Sequence, residues 1–259
     1  VECVRQGLDL LIGLKIKAID TSPYSMLDPN SLSLDCLKKQ TLLTTERQGK
    51  YLLLSFEKHH VLMHLGMSGV LLANKKQRPH THIHFVFSNQ NTLSYSDPRR
   101  FGYWNIQTKD FAFSRWNALG PDSISQKFNA KYLHQRINSS SREIKVLLLD
   151  QKITAGIGNI YASEILWAAK ISPFRIGSSL SLEDLKMICK HTKKILKKSI
   201  SNRGTTFSDY RLTNGKGGAF QSFLKVFQKE GAECPKCKAP IIKKTQAQRS
   251  TFYCSQCQL

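Results

Sequence analysis

The residues with the clearest chemistry are four cysteines near the end of the chain. Cys234-Pro-Lys-Cys237 is followed, after sixteen residues, by Cys254-Ser-Gln-Cys257. Each pair can turn two thiolates toward one ion, and the spacing suits tetrahedral zinc. The stretch between them is long enough for a β-hairpin. Two disulfides would use the same four residues, but no secretion signal accompanies them, and a reducing compartment disfavours disulfides. Four thiolates leave no open coordination position, so the metal would hold shape rather than catalyse. A ribbon this small would fold with its metal. Cys3, Cys36 and Cys189 stand among apolar neighbours and read as small buried hydrophobes.

Four other segments carry chemical possibilities. Gly49-Lys50-Tyr51-Leu52-Leu53-Leu54 puts a lysine at the start of an apolar strand, as a solvated cation or a catalytic amine. His64-Leu65-Gly66-Met67-Ser68-Gly69 flanks a methionine with glycines, so Met67 either joins the core or projects from a tight turn. Asp97-Pro98-Arg99-Arg100-Phe101-Gly102 offers two guanidinium groups and a ring on a Pro-led turn. Such groups pair with phosphates or base edges and wedge between bases, or form an exposed salt-bridged loop. Gly156-Ile157-Gly158-Asn159 opens a helix whose free N–H groups and dipole favour an anion, although Asn159 could also serve only as a cap. His80, His82 and His84 alternate along a predicted strand and would share one face, more plausibly polar or DNA-facing than metal-binding.

These groups need elements to hold them. Residues 1–12 read as a helix with Val4, Leu8 and Leu11 on one face. Short runs follow, including Tyr51–Phe56, Val61–Leu65, Ile83–Phe87 and Thr92–Tyr95. Their regular spacing predicts a β-sandwich or barrel. Gly120-Pro121-Asp122 marks a boundary. Helical patterns then cover Ser141–Asp150, Asn159–Ala169 and Ser181–Ile200. The last opens on Ser181-Leu-Glu-Asp184, which resembles a capping box, and would bury Leu182, Leu185, Ile188, Cys189 and Leu196. Arg203–Ser222, rich in Gly, Thr, Ser and Asn, reads as a mobile loop. The predicted organisation is α+β, with domains at 1–122, 123–224 and 225–259.

The 259 residues carry 39 Lys and Arg against 18 Asp and Glu, a net charge of +21. The surplus lies mostly after residue 122, where the net charge is +16 against +5 before it. A polyanionic partner, most simply nucleic acid, is expected, with an anionic membrane surface as the weaker rival. No apolar run reaches the ~18 residues of a membrane-spanning helix.

Taken together, GKYLLL, HLGMSG, DPRRFG, GIGNIYASE and QRSTFYCSQCQ occur in one order that resembles the formamidopyrimidine-DNA glycosylase family, nearly end to end. The resemblance implies an N-terminal β-sandwich, a helix–two-turn–helix domain and a C-terminal zinc finger with one structural Zn2+. It implies a monomeric bacterial enzyme of base-excision repair, cytoplasmic and held to the nucleoid through double-stranded DNA. It would flip oxidised purines out of the duplex and excise them, with lyase activity at the resulting abasic site.

By the same resemblance, Met67, Arg99 and Phe101 would fill the gap left by the flipped base, with Arg99 reading the opposite cytosine. Lys50 would assist β-elimination beside the lesion phosphate. Asn159 and Arg249 would grip flanking phosphates, and Arg249 would also serve δ-elimination. His64, His80 and Arg142 complete the expected DNA contacts. Cys234, Cys237, Cys254 and Cys257 would hold the zinc. Thr205, Thr206 and the loop after them would close over the extruded base.

Three departures stand out. The family's nucleophile is an N-terminal proline followed by glutamate in a PELPEVE-like start, and Val1-Glu2 matches only its last two residues. The chain as given is therefore expected to bind DNA without excising bases. Phe227 stands where relatives often have Tyr, and Ser139–Arg142 is less basic than the corresponding stretch in relatives. The competing readings are a non-catalytic damaged-DNA-binding protein of the same fold and a zinc-ribbon accessory protein that prefers RNA.

Overall fold

The computed structural model describes residues 1–24, 26–206 and 211–259. The elements in order are α1 (Glu2–Gln6), β1 (Ile16–Thr21), β2 (Leu42–Gln48), β3 (Tyr51–Phe56), β4 (His59–His64), β5 (Val70–Ala73), β6 (Thr81–Phe87), β7 (Thr92–Ser96) and β8 (Tyr103–Thr108). There follow α2 (Ser114–Asn117), α3 (Ala130–Ile137), α4 (Ile144–Leu149), α5 (Asn159–Ala169), α6 (Leu182–Ser201), β9 (Ile242–Gln246) and β10 (Arg249–Tyr253). Packing divides the chain into two units. One is Val1–Asn117 with Asn202–Gln221, and the other is Ala118–Ser201 with Ser222–Leu259.

The first unit is a β-sandwich. Two antiparallel four-stranded sheets run β1-β6-β7-β5 and β2-β3-β4-β8. Their inner faces share one core that includes Leu52, Leu54, Val61 and Trp104 from one sheet and Ile83, Phe85, Leu93 and Tyr95 from the other. The helix predicted over residues 1–12 breaks at Gly7 and resumes as a short 3-10 turn, Asp9–Leu11. A Cβ on Gly7 would lie 2.0 Å from the Thr213 hydroxyl, so the returning segment crosses the chain at its barest point. Val4, Leu8 and Leu11 are nonetheless all buried, as the apolar spacing requires, each worth about 1.5–3 kcal/mol.

The segment after α6 is not a bare loop. The Ala73 amide donates to the Thr213 carbonyl, adding 211–213 to the edge of the sandwich at β5. Ala219 donates to Asn202, Phe220 to Gly204, and the Gly218 amide to the Thr206 hydroxyl. Positions 207–210, where the expected closing loop falls, lie outside the described residues.

The second unit packs helices around Phe128, Leu147, Leu148, Ile165, Leu166, Leu185 and Ile188. The capping box at α6 forms reciprocally. Asp184 N–H donates to Ser181 Oγ at 3.1 Å, and Ser181 N–H donates to Asp184 Oδ2 at 3.0 Å. Leu182 is exposed rather than buried, because it sits on the solvated first turn, and Leu196 is only half-buried. The helix expected over Ser141–Asp150 is shorter, Ile144–Leu149, with the extended Glu143 as its N-cap. A smaller core of Trp167, Val226, Ile241 and Phe252 seats the cysteine hairpin.

Candidate nucleic-acid interface and metal centre

In the first unit, Gly49 and Lys50 form the two-residue turn joining β2 to β3, since Gln48 pairs with Tyr51. Gly49 takes the positive φ, 59°, that such a turn favours at its first position. The turn is braced from a distance. Arg47 Nη1 donates to the Gly49 carbonyl at 2.9 Å while its Nε donates to Glu2 at 2.7 Å. Burial alone would raise the Glu2 carboxyl, but hydrogen bonds from Arg47 and Arg5 outweigh it and hold the group below its ordinary range. Lys50 is half-buried in this setting.

His64 ends β4 and opens the HLGMSG turn. Its Nδ1 accepts the Gly66 N–H at 3.0 Å, so the neutral ring keeps its proton on Nε2. Burial, followed by the charges of Lys50 and Arg115, pushes its pKa down to about 4. A neutral donor near Lys50 is therefore available at ordinary pH.

Met67 does not join the core. It is 68% exposed, and Phe101 is 57% exposed. Arg99 lies between them, its guanidinium 4.7 Å from the Phe101 ring centre and its Nη1 3.6 Å from the Met67 sulfur. Two apolar side chains and one cation thus stand together in solvent, which is costly unless something covers them.

Their mount is rigid. Asp97 is fully buried. One of its carboxylate oxygens accepts Ser68 Oγ–H at 2.5 Å, and the other accepts Tyr95 O–H at 3.0 Å and Gly102 N–H at 2.8 Å. Its own N–H donates to the His80 carbonyl at 3.0 Å. The Arg99 N–H also donates to Ser68 Oγ. Glycine is required where the two turns meet. At Gly66 (φ 65°) a Cβ would lie 2.6 Å from the Phe101 carbonyl carbon, and at Gly102 one would lie 1.7 Å from Tyr95 Oη.

The histidines do not form one row. His80 precedes β6 with φ 62°, and the register shifts between Thr81 and Ile83. His80 is exposed, whereas buried His82 bonds to Ser22 Oγ and the Asp97 carbonyl, and His84 bonds to Ser94 Oγ. Among the described residues the cysteine set alone could hold a metal.

In the second unit, Asn159 is the first residue of α5, and Gly158 is the cap. Its Nδ2 donates to the Ser250 carbonyl at 2.9 Å. Arg249 begins β10 directly after Ala247 and Gln248, which both take positive φ as a two-residue hairpin turn demands. The fold thus brings Asn159 and Arg249 together through Ser250. Arg142 stands apart and pairs with Asp150 at 3.0 Å.

The sequence pattern missed two buried charges here. Lys145, only 1% exposed, donates to the Ser250 carbonyl at 3.1 Å and to Thr251 Oγ1 at 2.7 Å. Burial, then the nearby Arg249 charge, lowers its pKa to about 8. Glu164 accepts the backbone N–H groups of Lys225, Val226 and Phe227, clamping the entry to the cysteine hairpin. The Phe227 contact is made by its backbone, so the missing Tyr hydroxyl costs nothing at this point. Nothing in the local sequence hinted at the burial of Lys145, and Glu164 entered only as the last residue of GIGNIYASE.

The Sγ atoms of Cys234, Cys237, Cys254 and Cys257 all lie within 4.8 Å of one another, and none is in a disulfide. Bonds of ~2.3 Å to one tetrahedral zinc place sulfurs about 3.8 Å apart, so the set fits that ion. Trp167 Nε1–H donates to Cys234 Sγ at 3.4 Å, orienting the thiolate from outside the shell.

Comparison with known proteins agrees with this geometry. Residues 1–104 match the formamidopyrimidine-DNA glycosylase N-terminal domain and residues 119–211 its H2TH domain. Residues 231–259 match a zinc finger found in FPG and IleRS. The formamidopyrimidine-DNA glycosylase of Escherichia coli is 40% identical over 263 residues, covering 100% of this chain and 97% of that protein. The crystal structure of the MutM (Fpg) protein from Thermus thermophilus superposes with a TM-score of 0.89 at 32% identity, covering 100% of this chain and 97% of that one. A Lactococcus lactis Fpg bound to DNA containing an abasic site gives 0.88 at 29% identity, covering 99% and 97%. Among the described residues no helix is long and apolar enough to cross a membrane. With its sandwich, its helical unit and its four-cysteine zinc site in the family's order, the chain belongs to the formamidopyrimidine-DNA glycosylase family of DNA-repair enzymes.

Proposed function

We propose that this protein binds double-stranded DNA as a monomer and excises oxidised purines such as 8-oxoguanine and formamidopyrimidines. It then cleaves the abasic strand by β,δ-elimination. The observation that carries this reading is the exposed Met67–Arg99–Phe101 cluster on its glycine-tight mount. Apolar side chains inserted at a base step unstack and kink a duplex, and a flipped nucleotide leaves a gap for them. Arg99, held by the Phe101 ring, can present donors to the base left unpaired.

The other residues take roles that their surroundings support. Lys50 supplies a cation beside the lesion phosphate, and neutral His64 and exposed His80 add donors. Asn159 and Arg249 act as a pair on flanking phosphates, since Asn159 bonds to the carbonyl of Ser250, the residue after Arg249. Arg142 offers a weaker contact because Asp150 already holds it. The zinc, bound by the four cysteines, fixes the hairpin that carries Arg249 and does no chemistry itself.

Excision needs an amine to attack C1′, expel the base and form a Schiff base, a role that the family resemblance assigns to an N-terminal proline. Borohydride trapping on a duplex with 8-oxoguanine opposite cytosine tests the proposal. A covalent adduct is expected from a chain carrying Pro-Glu-Leu-Pro-Glu before Val1, with the 259 residues run beside it. Tight lesion binding with no adduct from either would instead favour a non-catalytic damage-binding protein.

A further inference from the structure

The 20-residue helix α6 carries a charged face that the lesion chemistry leaves unused. It packs on α3 and α5 through Leu185, Ile188, Cys189 and Thr192. Lys190, Lys193, Lys194 and Lys197 lie on the other side. Their spacing of three, four and seven residues puts them on one face. At 1.5 Å per residue they span about 10 Å of helix axis. Among the described residues, none of these four ammonium groups has a hydrogen-bond or ion-pair partner. Lys186, by contrast, pairs with Glu183, and Lys198 sits 4.2 Å over the Phe223 ring.

No acidic residue lies between Asp184 and Arg203. The zinc knuckle adds another charge. His191 is held below its ordinary pKa by burial and then by the charges of Lys190, Lys194 and Lys236. Like charges three and four residues apart destabilise a helix, so this face works against the fold unless a polyanion neutralises it.

The composition of the face says which polyanion. It holds lysines and no arginine, so it offers point charges rather than the bidentate forks that read base edges. It holds no aromatic ring among those lysines, so it lacks the stacking platform that single strands use. Point charges along a helix suit the regular phosphates of a duplex, read without regard to sequence.

We propose that the Lys190–Lys193–Lys194–Lys197 face of α6 is a second, sequence-independent binding surface for double-stranded DNA, separate from the residues that hold the lesion. It would let the protein touch a neighbouring duplex while one is already engaged, and so pass between DNA segments. The proposal rests on the DNA-repair reading above, because it takes duplex DNA as the natural polyanion.

The test uses the full chain saturated with a short duplex containing a tetrahydrofuran abasic analogue. A labelled, undamaged duplex is then titrated in at several salt concentrations. The comparison is the variant K190Q/K193Q/K194Q/K197Q, since Gln retains helix propensity. The wild type is expected to take up the second duplex, and the variant to lose that binding tenfold or more. The slope of log affinity against log salt should flatten by about 3 to 4, at ~0.9 per phosphate contact. Circular dichroism should show the same helix content in both.

No second duplex on the wild type, or equal uptake by the variant, overturns the proposal. So does an equal loss of abasic-duplex binding in the variant, which would place the lysines in the lesion surface. Preferential displacement of the second duplex by poly-glutamate would point to an acidic protein partner and also overturn it. The wild type's preference for the abasic over the undamaged duplex is read separately and reports on the functional reading alone.

Discussion

Replacing Asp97 tests whether the two exposed turns are held as one body. Its carboxylate is fully buried and accepts three donors, from Ser68, Tyr95 and Gly102. In Asp97→Ala all three lose their acceptor at once. An unsatisfied buried donor costs about 1–3 kcal/mol, while removing a buried charge returns part of that. A net loss of about 3 kcal/mol is expected. Asp97→Asn is a sharper probe. The Ser68 hydroxyl can rotate to accept from the new amide, while the remaining oxygen still receives Tyr95 O–H and Gly102 N–H. That variant should lose only about 1 kcal/mol. Tyr95 stays a donor throughout, because burial and then Asp97 itself push its pKa well above the ordinary phenol value. Urea unfolding measures the two losses, and amide exchange at Gly102 and Arg99 localises them. In Asp97→Ala those two amides should exchange faster while β3 and β4 stay protected. The reasoning is refuted if Asp97→Ala falls within 1 kcal/mol of the wild type, or if Asn proves as damaging as Ala.

Met67→Ala and Phe101→Ala should leave the unfolding midpoint almost unchanged, within about 0.5 kcal/mol, because both side chains are exposed. Each should weaken binding to an abasic duplex at least tenfold in a fluorescence titration. Stability should also depend on pH through His64. Its folded pKa of about 4 lies below the ordinary 6.5, so the unfolded chain takes up the proton first. The contribution is intact above pH 6.5 and is lost as pH falls from there toward 4, by up to about 3 kcal/mol. His64→Gln should flatten that limb of a pH–stability curve. Elemental analysis should find one zinc per chain, and none in Cys237→Ser/Cys254→Ser. Chelation should abolish amide protection in β9 and β10 while leaving the sandwich strands protected.

Much of this architecture was legible because its signals are local. Strand alternation from Tyr51 to Tyr95, the Ser181–Asp184 box and the paired cysteines each depend on residues a few positions apart. What was not legible depends on partners distant in sequence. Ser68 and Asp97 are 29 residues apart, Lys145 and Thr251 are 106 apart, and Glu164 meets Val226 across 62. A buried lysine on a short helix has the same local pattern as a solvated one, so Lys145 gave no sign of its hydrogen bonds. The His80–His82–His84 row failed for a related reason, since strict alternation holds only while the backbone stays extended. The left-handed turn at His80 and the bulge after it take that ring out of the row, while His82 and His84 still alternate along β6. Met67 shows the opposite case. Composition alone favours the core for a methionine, and only the two flanking glycines argued for projection.

The return of residues 202–221 to the sandwich sets an order on synthesis. All eight strands of the two sheets have been made once Thr108 leaves the peptidyl-transferase centre. Yet the Ala73 amide at the edge, and the bare patch at Gly7, wait for Thr213. That residue follows Ala73 by 140 positions, roughly 7 to 28 s at 5–20 residues per second. During that interval the helices up to α6 emerge and can settle first. The sandwich is therefore the earlier unit to be translated and the later one to be sealed, and a ribosome stalled within α6 would hold it open at that edge.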